Sequence, residues 1–170
     1  MNATGDSNAS PGTGRLGPVA ALLFLFAASA IAHADGTGAQ TPSEAVSKLY
    51  AAHFAGDMAF THDSVARKQP WLAPDLQALL VAELDRPQPE DEPPYINGDP
   101  FTDTQEYPLA CRVSGAEIVG DTASVHVDCT LEGGGTRRIV ALLQKLGSAW
   151  MLSDLQYEDG RTLRHLLVPP

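Results

Sequence analysis

Two hydrophobic periods divide the chain. Over residues 41–83 apolar side chains recur every three or four positions, and over residues 110–157 they alternate. The first helical stripe is Ala45, Val46, Leu49, Tyr50, His53 and Phe54. It begins at Thr41-Pro42-Ser43-Glu44, where Thr41 caps, Pro42 suits the first helical position and Glu44 closes a capping box; Gly56 stops it. A histidine on such a stripe, here His53, is more often packed than catalytic. Residues 57–69, with Met58, Phe60 and Val65, predict short helical pieces around a turn. Residues 74–83 predict a helix led by Pro74, with Leu76, Leu79 and Leu80 on it and Trp71 and Leu72 stapling its start. Residues 85–94 are acidic, proline-rich and without period, which predicts a loop.

The alternating half predicts four strands. They are Ala110–Val119, Thr122–Thr130, residues 138–145 and Ala149–Tyr157, separated by Gly120-Asp121, Gly133-Gly134-Gly135 and Gly147-Ser148. Ala123, Val125, Val127 and Cys129 share one face of the second strand; Ser124, His126, Asp128 and Thr130 share the other. The third is apolar on both faces, as a central strand is. A short amphipathic piece over residues 161–167 ends the pattern. The expected fold is α+β: N-terminal helices packed on a curved four-stranded antiparallel sheet, with a concave pocket between them.

Between the halves lies Tyr95-Ile96-Asn97-Gly98-Asp99-Pro100-Phe101-Thr102-Asp103-Thr104-Gln105-Glu106-Tyr107. It is too long for a minimal connection, and its aromatic residues can pack down and fix the carboxylates between them. We expect it to lie along the mouth of the sheet–helix cone as a binding surface. Asp103, Gln105, Glu106, Tyr95 and Tyr107 are the candidate binding residues, and Trp150, Tyr50 or Phe54 would line the cavity. Asp99 precedes a proline, which holds it extended, and its carboxylate suits the cap of a short turn starting at Pro100.

Composition adds an address. Residues 16–31 form an uncharged apolar run, preceded by Arg15 and followed by Ala32-His33-Ala34. The run is short for a membrane span and fits a secretory signal cleaved after Ala34, the alternative being an uncleaved anchor. No cysteine precedes Asp35, which excludes a lipid-anchored form. The expected organisation is a signal peptide at 1–34, a disordered segment at 35–41 and one domain at 42–168, in a periplasmic or secreted protein. Removing the leader takes Arg15 and Asp6 together, so the net charge of −10 stays with the mature chain. That sign argues against nucleic acid and against an anionic membrane surface, and suits a cationic partner. Export also places Cys111 and Cys129, the chain's two cysteines, where disulfides form. A hairpin about Gly120 brings them nearly opposite, although a two-residue turn offsets them by one position.

Catalytic signatures are absent: no Ser–His–Asp order, phosphate loop or zinc spacing occurs. Asp99, Asp103 and Glu106 could give calcium some oxygen ligands, but their spacing is not that of a calcium loop, and we assign no metal and no cofactor. His126 and Asp128 share a strand face on the side away from the core, and His62-Asp63 has no orienting partner in sequence. Arg137-Arg138 opens a strand, and Arg161 and Arg164 lie on one helical face; their acidic neighbours suggest internal pairing, in part with the acidic loop.

The layout and the ending Gly-Ser-Ala-Trp-Met-Leu-Ser-Asp-Leu-Gln-Tyr (147–157) resemble the nuclear-transport-factor-two-like superfamily of cystatin-like cones. Asp99-Pro100-Phe101-Thr102-Asp103-Thr104-Gln105-Glu106, after a helix ending in Leu79-Leu80, resembles a family of small exported bacterial proteins known as domain of unknown function 3828. The resemblance implies a fold and a pocket, not a reaction, because that superfamily holds both enzymes and pure binders. The expected role is therefore non-catalytic binding of a small ligand or an envelope protein. The alternative is a small isomerase, lyase or hydrolase with a pocket carboxylate or histidine as base. A homodimer through the outer sheet face is a third arrangement.

Overall fold

The computed structural model describes residues 39–56, 58–87 and 94–168. The proposed signal peptide, the segment at 35–38 and most of the acidic loop fall outside these residues. The described residues all belong to one unit. In order they form α1 (Pro42–Phe54), α2 (His62–Lys68), a 3-10 turn (Gln69–Trp71), α3 (Pro74–Leu84), β1 (Ala110–Val119), β2 (Thr122–Thr130), β3 (Thr136–Leu146), β4 (Ala149–Tyr157) and α4 (Leu163–Leu167). The strands make one antiparallel meander in the order β1-β2-β3-β4. This is the expected α+β fold.

Local chemistry starts the helices. Thr41 and Glu44 complete the capping box of α1. A second box unnoticed in the sequence starts α2, where the Thr61 hydroxyl accepts from the Ser64 amide and Ser64 answers to the Thr61 amide. Each such cap is worth about 1 kcal/mol. Leu72 does staple α3 to the sheet. It bridges to Leu152, and the Ala73 amide donates to the Leu152 carbonyl at 2.8 Å. Leu49 and Tyr50 of α1, Leu76 and Leu80 of α3, and the inward side chains of the sheet then bury one another in a common core. Each fully buried Leu contributes roughly 1.5–3 kcal/mol of transfer free energy. No described helix is long and apolar enough to cross a membrane.

Two bulges set which side chains face that core. At the β1–β2 turn Val119 pairs with Thr122, a two-residue hairpin with Gly120 at φ +60°. Kept in strict register, that turn would oppose Cys111 to Thr130. Instead Val113 pairs with Val127 and Ala116 with Val125, so Ser114 and Gly115 together face one residue. The bulge removes the offset of one position, and Cys111 lies directly opposite Cys129, to which it is disulfide-bonded. In β4 the register slips between Leu142 and Leu143, with Ser153 the extra residue. Trp150 and Leu152 before the slip, and Leu155 and Tyr157 after it, all point inward. Without it Tyr157 would turn to the outer face.

Reduction of the Cys111–Cys129 bond should cost the folded protein about 3 kcal/mol on the loop-entropy account. Urea unfolding with and without dithiothreitol measures it. A midpoint indifferent to reductant would show that the paired strands hold the hairpin without the bond.

Candidate functional site

Residues 95–107 are held from below by buried polar groups. Asp99 Oδ1 accepts from the Phe101 amide at 2.9 Å, and Asp99 Oδ2 accepts from the Thr102 hydroxyl and stands 2.8 Å from His53 Nε2. Thr102 in turn meets the Thr104 hydroxyl at 2.7 Å, and the Asp99 amide donates to the Thr104 carbonyl at 2.8 Å. The cap expected of Asp99 is present, and it is half of a buried pair that sequence spacing did not reveal. The His53 and Asp99 side chains are 0% and 1% exposed.

Three further groups complete this floor. The Tyr50 hydroxyl donates to the Phe101 carbonyl, and the Tyr157 hydroxyl to the Pro100 carbonyl, each at 2.8 Å. Lys68 is fully buried; its ammonium donates to the Ser64 carbonyl at 2.8 Å and lies 4.5 Å from the centre of the Phe101 ring. Burial lowers its pKa to about 8, against the pull of the Asp99 carboxylate, which favours the charged form. Burial drives both tyrosine hydroxyls well above their usual range, and the Asp99 and Asp103 carboxylates add to the effect. These hydroxyls therefore remain donors at any ordinary pH.

Above the floor is a cavity of about 590 Å³. All five candidate binding residues, Tyr95, Asp103, Gln105, Glu106 and Tyr107, line it. Leu131, Glu132 and Arg137 close it from the β2–β3 turn and the start of β3, and Arg161 and Leu166 from the C-terminal end. Tyr95 and Tyr107 are 49% and 46% exposed, and Gln105 and Glu106 are exposed beside them. Gly98 is needed for the close approach of the stretch to itself. Its φ is +114°, and a Cβ there would stand 2.5 Å from the Thr104 carbonyl oxygen.

The structure corrects three expectations. Trp150, Tyr50 and Phe54 do not line this cavity: Tyr50 is committed to the Phe101 carbonyl, Phe54 packs edge-on against His53, and Trp150 is buried in the sheet. Asp103 is not a free rim acceptor. Its carboxylate meets Arg161 at 3.3 Å and Arg137 at 3.7 Å, and its backbone holds the left-handed region at φ 51°. Arg161 and Arg164 do not share a helical face, since Arg161 precedes α4 and Arg164 reaches back to Asp75 at 2.6 Å. The candidate calcium ligands are likewise dispersed, Asp99 turning inward to His53 and Asp103 to the arginines. Among the described residues no group of three His, Cys, Asp or Glu is placed to hold a metal. Asp128 pairs with Arg138 at 3.7 Å, and His62 with Asp85 at 2.9 Å, both in the open.

No protein-family model matches the chain, and no curated protein matches it in sequence. Among solved structures, one chain of the selenomethionine crystal of the type VI effector–immunity complex Tae3–Tai3 from Ralstonia pickettii has a TM-score of 0.52 at 17% identity. The match covers 69% of this chain and 97% of that one. The native crystal of the same complex gives a TM-score of 0.48 at 15% identity, covering 68% and 92%. At such identity the first match is a likeness of fold.

Substitutions should separate the floor from the rim. Asp99→Ala strands the Phe101 amide, His53 and the buried Lys68 charge, so we expect a loss of about 3–5 kcal/mol in urea unfolding. Asp103→Asn breaks only part-exposed ion pairs and should cost no more than about 1 kcal/mol. Equal losses would show that floor and rim are one unit.

The buried groups also set a pH profile. Lys68 has a folded pKa of about 8, below its ordinary value of 10.5, so in that window the unfolded chain binds more protons. Stability therefore rises with pH across it, on the order of 2 kcal/mol. Tyr50 and Tyr157 have raised folded values, so their contribution is complete below the ordinary tyrosine pKa of about 10 and is lost above it. Unfolding free energies at a series of pH values test both signs: Lys68→Met should flatten the rise, and Tyr50→Phe should soften the alkaline fall.

Proposed function

We propose that this is an exported protein whose task is to bind a protein partner in the cell envelope through the cavity of residues 95–107, without chemistry at that site. The observation that carries the reading is the split between the two sides of the stretch. Its underside is locked by Asp99, Tyr50 and Tyr157, while Tyr95, Gln105, Glu106 and Tyr107 stand outward around one cavity. A fixed backbone presenting exposed aromatic and polar side chains loses little entropy on association, which is what a binding surface requires. The natural acid–base pair of the alternative enzymatic reading, His53 with Asp99, is sealed from a substrate.

Export is supported by the apolar leader in the sequence and by a disulfide in a chain with two cysteines. The fold likeness adds a precedent for this layout in a chain crystallised within an effector–immunity complex. Of the two roles in that complex's name, immunity is the one that asks only for binding, and it is the role we infer by analogy. Membership of the exported cone family resembled by residues 99–106 is part of the same proposal. A small ligand is the second reading, favoured by the cavity volume, which falls within the range of small-molecule sites.

A photo-reactive phenylalanine analogue placed at Tyr107 should form a discrete protein adduct in the envelope of the producing cell. The same probe at Val119, at the far end of β1, should form none. Adducts from Val119 alone, or none from Tyr107, would defeat the partner-binding reading.

A further inference from the structure

The charges around the cavity select the partner's chemistry. The positive groups of its wall are already matched: Arg137 stands between Asp103 at 3.7 Å and Glu158 at 3.6 Å, and Arg161 between Asp103 and Asp159. Two guanidinium groups thus face three carboxylates. Glu106 and Glu132, the two glutamates of the lining, are exposed and take part in no ion pair among the described residues. The cavity therefore presents an excess of negative charge, within a protein whose net charge is −10. Beside it stand the exposed rings of Tyr95 and Tyr107. Aromatic faces next to uncompensated carboxylates form an environment that attracts a cation, through the ring quadrupole and through charge. The Tyr95 ring already has the Arg86 guanidinium 5.6 Å from its centre, and the Tyr157 ring has that of Arg161 at 5.7 Å.

Building on the partner-binding reading, we infer that the partner meets this cavity with basic side chains, arginine or lysine, seated between Glu106 and Glu132 and against the tyrosine rings. An acidic partner surface would have to displace Asp103 from both arginines and lie beside the two glutamates. A basic one requires neither. The overall negative field also speeds the approach of a positively charged partner and repels an acidic one.

The test uses the exported full domain and two blocked peptides, Gly-Arg-Arg-Gly and Gly-Glu-Glu-Gly, followed by amide chemical shifts. The arginine peptide should shift the amides of Tyr95, Gln105, Glu106 and Glu132, and its effect should fade at about 0.5 M salt. Joint substitution Glu106→Gln and Glu132→Gln should weaken its binding about fivefold. Both residues are exposed, so the fold survives the change, and Glu117→Gln, on exposed β1, controls for general loss of charge. The inference falls if the glutamate peptide shifts these amides instead, if the double variant binds the arginine peptide as well as the parent, or if neither peptide moves them. The cross-link from Tyr107 reports on partner binding alone, so a cross-link together with any of those three results removes the basic partner and leaves the binding surface.

Discussion

The buried carboxylate of Asp99 is the constraint around which this fold is arranged. An ionised group removed from water costs several kcal/mol unless its oxygens are occupied, and here a histidine, a hydroxyl and a backbone amide occupy them. Each donor imposes a condition on distant sequence. His53 must stand on the inward face of α1, so α1 cannot rotate. Thr102 and Phe101 must curl back toward Asp99, so the chain after Pro100 must turn. Lys68, with a charge of its own to settle, must end α2 beneath Phe101. One carboxylate thereby ties two helices to the connecting stretch.

The tyrosines extend the same constraint to the sheet. Tyr157 reaches the Pro100 carbonyl because the irregularity at Ser153 turns the end of β4 inward. The helices and the sheet thus each supply one hydroxyl to adjacent carbonyls of one turn. Removing the irregularity would cost more than a ladder bond, since it would leave a buried carbonyl without its donor. The bulge at Ser114-Gly115 plays the corresponding part for Cys111. Irregular positions in the sheet decide what the regular ones can reach.

This explains which features were legible. The helices and strands rest on local periods and caps, and those are written in neighbouring residues: Thr41 with Glu44, Val125 with Val127. The stretch 95–107 shows itself through composition, and its five candidates line one cavity, with Asp103 turned to the arginines and the other four outward. The floor beneath was hidden because its partners are remote, with Tyr50 51 residues from Phe101 and Tyr157 57 from Pro100. Nothing in the neighbouring sequence marks Lys68, beside Arg67, as buried. The offset of the cysteines was visible in the turn, but the bulge that cancels it depends on pairing across the hairpin. Nothing in the sequence decides whether Trp150, Tyr50 or Phe54 lines the cavity; packing uses all three as structure.

Asp103 stands where the two sides of the stretch meet, and its position bears on how binding would couple to the fold. Its backbone is in the left-handed region, uncommon for a residue with a side chain, and its carboxylate is shared by two arginines from different elements. Arg137 belongs to β3 and Arg161 to the approach to α4, so the three charges pin the cavity's walls to its lip. Each pair alone is weak, because the arginines remain partly exposed. Together they tie the stretch that carries Glu106 to the strand that follows Glu132. A partner cation entering between those glutamates finds the arginines already neutralised, and the repulsion they would otherwise exert is largely cancelled. The ion pairs of Asp103 therefore serve the site less by adding stability than by leaving its surplus charge negative.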